Sequence, residues 1–125
     1  MNGIPRELDW VKERAACSLK RVFSDLFLSV QGDVKAANLV GKCSFEVVPE
    51  SNETFTVRRS ESIKSVVIFM LQEDRIVINS GSSSEEWNFT VGLNGEGRCQ
   101  LRQNGQEFEQ WQVRKMAMEG LFFGT

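Results

Sequence analysis

Three thiols are the strongest nucleophiles in this chain, and they stand without the base that would activate them. Cys17, Cys43 and Cys99 are widely spaced with no CxxC pair, and histidine and tyrosine are both absent. General acid-base work would therefore fall to carboxylates or lysine, and a cysteine nucleophile would lack its usual imidazole. The odd, scattered set argues against a disulfide framework and against a zinc site, so the thiols are expected to be reduced, buried packing elements. No cofactor is expected, and the chain is not expected to be an enzyme.

Other chemical groupings are equally unproductive. Glu85 and Glu86 are adjacent, and neighbours on a strand face opposite ways, so they cannot share a substrate. The run GLNGEG at 92–97 lies between two expected strands. It lacks the helix N-terminus that makes a glycine-rich loop cradle phosphate, and reads as a hairpin. Arg58, Arg98 and Arg102 fall on the polar alternation of their strands, whereas Phe55, Trp87 and Phe89 fall on the inward set. Basic and aromatic residues are thus segregated, which disfavours a stacking platform for single-stranded nucleic acid. A net charge of -2 and an isoelectric point near 5.3 point away from polyanions as well.

The elements that would position these residues follow from hydrophobic periodicity. Apolar residues recur at Ile4, Leu8, Val11, Ala15, Leu19, Val22, Leu26, Val30, Val34 and Ala37, close to the ~3.6-residue period of an α-helix. The stripe keeps its phase through Gly32, which predicts one long N-terminal helix running to Gly41. After Gly41 the period changes to two. KCSFEVV, TFTVRR, IKSVVIFMLQ, DRIVINS, EEWNFTVGL and GRCQLRQ read as about six antiparallel strands in a meander. The third and fourth are apolar on both sides, as if both faces of the sheet were covered, either by one helix on each or by both helices on one face and a second subunit on the other. Asn94-Gly95 is expected to turn a hairpin and Asn104-Gly105 to close the strand region. A C-terminal helix follows, with Phe108, Trp111, Met118 and Phe122 on one flank. The expectation is a single α+β domain over 1–125: long N-terminal helix, six-stranded antiparallel sheet, C-terminal helix.

Function is sought in surfaces more than in motifs. A straight helix of this length would span ~50 Å, whereas a compact chain of 125 residues is only ~35 Å across. Its overhang would expose Leu8, Trp10 and Val11 as a partner-binding patch, giving a homodimer or a complex with another protein. At the other terminus, LFFGT has two readings. Leu121 and Phe122 finish a core face while Phe123 folds back over the sheet, or Phe123 stands out as an anchor for a partner. The expected function is a non-catalytic protein-binding or adaptor module that self-associates. The alternative is a carrier of a small apolar ligand between sheet and helix, lined by Trp87, Phe89, Trp111, Met116 and Met118.

The start MNGIPRELDWVKER lacks the pattern of a secretory signal, and the longest apolar run is far short of the ~20 residues that span a bilayer. These features lead to the expectation of a cytoplasmic protein without membrane contact. In that compartment the sequons at Asn52 and Asn88 are incidental.

Overall fold

The computed structural model describes residues 9–41, 43–60, 62–81 and 85–124. The expected N-terminal helix is broken in two. Helix α1 covers Trp10–Ala16 and α2 covers Leu19–Val40. Between them Ser18 is extended, at φ -128° and ψ 155°, and its hydroxyl accepts from the Arg21 amide to start the second helix. Ser18 thus satisfies one of the amides that a new helix leaves unpaired. The apolar phase passes through the break because Ala15, Leu19 and Val22 keep helical spacing across it. Gly32 lies within α2, as the unbroken phase of the stripe there predicts, and a Cβ built there would meet nothing within 4 Å.

The break is held by a covalent bond. Cys17 caps α1 and is joined to Cys99 in a disulfide, with the two Cα atoms 5.3 Å apart. This corrects the expectation of three reduced thiols. The 82 residues separating the partners leave no spacing signature in the sequence; only the folding of α1 against the sheet brings them together. Cys43 is the free cysteine, half-buried against the core.

Seven strands form one antiparallel meander in sequence order: β1 Phe45–Ser51, β2 Thr54–Arg59, β3 Ser62–Leu71, β4 Ile76–Ser80, β5 Glu85–Leu93, β6 Cys99–Gln103 and β7 Gln106–Phe108. The extra strand arises at Asn104-Gly105, which turns a hairpin instead of ending the sheet. Both residues have positive φ, 52° and 80°, as a tight two-residue turn between the paired Gln103 and Gln106 requires. The turn at Asn94 is longer than expected. The Asn94 carboxamide oxygen accepts from the amides of Glu96 and Arg98, and Gly97, not Gly95, takes the positive φ.

Helix α3 covers Gln110–Phe123. Its start is fixed by reciprocal bonds between Glu109 and Gln112, the pattern of a capping box. Phe108 therefore belongs to β7, not to the helix.

Helices α2 and α3 pack on the same face of the sheet. Their buried residues, among them Leu26, Val30, Val113 and Met118, form one cluster with Phe55, Phe69, Ile78 and Phe89. Phe55 is the hub: it stacks on Phe69 at 4.6 Å and meets Phe23 and Phe27 at 5.3 and 5.0 Å. Both helices end at β1. Asn38 of α2 donates to the Phe45 carbonyl and accepts from the Phe45 amide, and Phe122 of α3 packs on the Phe45 ring at 4.9 Å. The opposite face of the sheet carries Val66, Ile68 and Met70, half-buried, with the buried Val77 and Thr56 beside them. The doubly apolar pattern of β3 therefore does not signal helices on both faces.

Candidate functional site

The helical layer presents apolar side chains to solvent where local structure gives them no inward position. On α3, Val113, Ala117, Met118 and Leu121 face the sheet and are buried. At 100° per residue, the outward face of the same helix falls on the row Trp111, Lys115, Glu119 and Phe123. Trp111 is 53% and Phe123 69% exposed. The middle of the row is charged, Lys115 and Glu119 forming an ion pair one turn apart. The row is a ridge between two grooves. One, towards α2, is walled by Ala36, Val40 and Phe122; the other, on the far flank, by Phe108, Met116 and Gly120.

The ridge is held rigidly from below. Arg114 reaches across to α2, where one guanidinium nitrogen donates to both Asp33 carboxylate oxygens at 2.7 Å. The pair is mostly shielded from solvent, at 20% and 32% side-chain exposure, so it is worth more than a free surface pair. The buried Arg114 Nε has no hydrogen-bond partner among the described residues. The Trp111 indole nitrogen donates to the Glu109 carboxylate at 2.9 Å, which fixes the ring's orientation at the helix entry.

The residues singled out from sequence are dispersed. Trp10 and Val11 stand at 70% and 58% exposure on α1, a helix with no buried residue. They are exposed, but on a short separate helix and not on the overhang of a long one. Leu8 lies outside the described residues. Phe123 does not fold over the sheet; Leu121 and Phe122 complete the inner face and Phe123 points outward. Of the expected ligand-lining set, Phe89 and Met118 are core residues at 1% and 2% exposure, and Trp87 and Met116 pack against that core. Trp111 is exposed on α3, where it borders one groove with Met116 and the other with Met118, while Trp87 and Phe89 line neither. Leu39 and Val40, at 87% and 76% exposure, stand beyond Ala37, the last residue of the predicted stripe. Lys115 and Glu119 carry no mark in the sequence alone, although their spacing is visible once the start of α3 is known.

Several charged groups elsewhere are engaged with each other. Arg58 donates to Glu46 at 2.7 Å, and Arg102 donates to Glu107 and to the Leu93 carbonyl. The hydrogen bond from Arg75 holds the Asp74 carboxyl below the usual carboxylate range, and Asp74 in turn raises the Arg75 guanidinium. Both lie in the exposed turn between β3 and β4. Among the described residues no cluster of three histidine, cysteine or carboxylate side chains could hold a metal, and no helix is long and apolar enough to cross a membrane.

These features define a two-layer α+β domain with a meander sheet and an apolar, ridged helical surface. Comparison with protein-family models, with curated proteins and with solved structures finds no match.

Proposed function

We propose that this domain is a non-catalytic protein-binding or adaptor module that self-associates as a homodimer through its helical layer. One observation carries the reading: the large apolar side chains exposed among the described residues all lie on helices. They are Trp10 and Val11 on α1, Leu28, Leu39 and Val40 on α2, and Trp111 and Phe123 on α3. Of these, Val40, Trp111 and Phe123 border one groove, and apolar side chains that share a groove mark an interface better than the same number scattered over a surface. Aromatic anchors are the residues that interfaces favour.

The carrier reading has less support, because Phe89 and Met118 fill the core and Trp111 lies outside it. Nucleic acid is disfavoured by the pairing of Arg58 and Arg102 with carboxylates. A cytoplasmic location requires the Cys17–Cys99 pair to be reduced there, since such bonds persist mainly in oxidising compartments. Mass spectrometry of alkylated, unreduced native protein reads that state directly.

Light scattering and native mass spectrometry across the micromolar range test the function. The expected result is a dimer mass with no retained small molecule. A monomer carrying a stoichiometric apolar compound would replace this reading with the carrier.

A further inference from the structure

We propose that the dimer forms by antiparallel packing of α3 against α3 of a second copy, about a twofold axis at the level of Ala117. This rests on the reading of the helical layer as a self-associating surface and specifies which part of it associates. The ridge Trp111, Lys115, Glu119, Phe123 reads aromatic, cation, anion, aromatic. Rotation by a twofold at its midpoint carries position 111 onto 123 and position 115 onto 119. Each Trp111 then lies beside the other copy's Phe123, and each Lys115 beside the other copy's Glu119. A closed dimer requires a surface to be complementary to itself, and this ridge is so in both shape and charge.

The geometry suits close helix packing. The ridge is a row of residues four apart, and two such rows interdigitate at a crossing angle of ~50°. The grooves on either side are the receiving sites, walled by Val40 and Phe122 on one flank and by Met116 and Gly120 on the other. The free areas of Trp111 and Phe123, 53% and 69% exposed, amount to about 500 Å² over two copies, taking ~200 Å² for a whole aromatic side chain. A standard interface buries ~1,600 Å² in all. The aromatic ends therefore supply about a third of that area, and Val40 and the stems of Lys115 and Glu119 add to its apolar part. The two charge pairs lie across the middle and select the antiparallel arrangement, because parallel helices would set like charges side by side.

Charge exchange tests this on the full chain by sedimentation over a concentration series. Lys115 and Glu119 are 63% and 56% exposed, so Lys115→Glu and Glu119→Lys leave the fold intact, as thermal melts will show. Each single variant should weaken the dimer about tenfold or more, because both symmetric pairs become repulsive. The double exchange should restore it to within about threefold, and mixing the two single variants should give a heterodimer in preference to either homodimer. Trp111→Ala, which changes no charge, should also dissociate the dimer. A wild-type dimer indifferent to all these changes would overturn the α3 arrangement and leave self-association standing through another surface. A wild-type monomer throughout the series would overturn both.

Discussion

Replacing Phe69 with alanine should remove a large part of the stability of this domain. Phe69 is 0% exposed and lies on β3, its ring stacked on Phe55 at 4.6 Å with 10° between the planes. Phe55 in turn receives Phe23 and Phe27 from α2. The substitution therefore opens a void where the helix layer meets the sheet. Losing the ring's transfer free energy costs about 2 kcal/mol. A residual void of ~100 Å³ at ~24 cal/mol per Å³ adds about 2 kcal/mol if the walls do not close in. The lost stacking contributes ~0.5 to 1 kcal/mol more. Partial collapse brings the expected total to ~3 to 5 kcal/mol, against the ~5 to 15 kcal/mol typical of a whole domain. In urea melts, with a slope of ~1.5 kcal/mol per M, the midpoint should fall by ~2 to 3 M. A loss below ~1 kcal/mol with an unchanged slope would refute the placement of Phe69 at the centre of the core. Phe123→Ala is the internal control: it truncates an equally large ring that is 69% exposed, and monomer stability should change by no more than ~0.5 kcal/mol.

Gly32 sits inside α2 with open space where a Cβ would stand, so Gly32→Ala should raise stability by ~0.5 to 1 kcal/mol in the same melts; a loss would show that the helix bends there. Reducing the Cys17–Cys99 bond, which spans 82 residues, should cost ~2 to 4 kcal/mol by freeing the unfolded chain. Thiol titration of unreduced, denatured protein should count Cys43 alone, and three equivalents would refute the bond. Asn38→Ala removes both side-chain bonds to the Phe45 backbone. It should cost ~1 to 2 kcal/mol and accelerate hydrogen exchange at the Phe45 amide, whereas unchanged exchange would mean that β1 is held by β2 alone.

Periodicity carried most of the fold. The change from a 3.6-residue to a two-residue repeat at Gly41 marks the end of α2 in both sequence and structure, with the Gly41 amide bonded to the Ala37 carbonyl. Of the inward set that alternation predicts for β5, Trp87, Phe89, Val91 and Leu93, the first three pack in or against the core and Leu93 does not. These features are legible because each reflects one element exposing one face to one core, a relation written locally along the chain. The break at Ser18 was not legible, since Ala15, Leu19 and Val22 stay in register across it and Arg21 supplies no capping-box partner. The seventh strand was hidden because β7 has three residues, too few to show a period.

What the sequence determined by itself is therefore the class of the domain: two helical regions around an antiparallel meander, with Phe123 beyond the end of a buried row. Tertiary structure alone decided the rest. Whether Trp111 lines the core or faces solvent depends on where α3 begins, and that depends on the tight turn at Asn104-Gly105 and the Glu109–Gln112 box. The placing of both helices on one face, the Asp33–Arg114 bridge and the pairing of Cys17 with Cys99 join residues far apart in the chain. Such contacts are chosen by the joint packing of all the elements, and no local pattern of residue types encodes them.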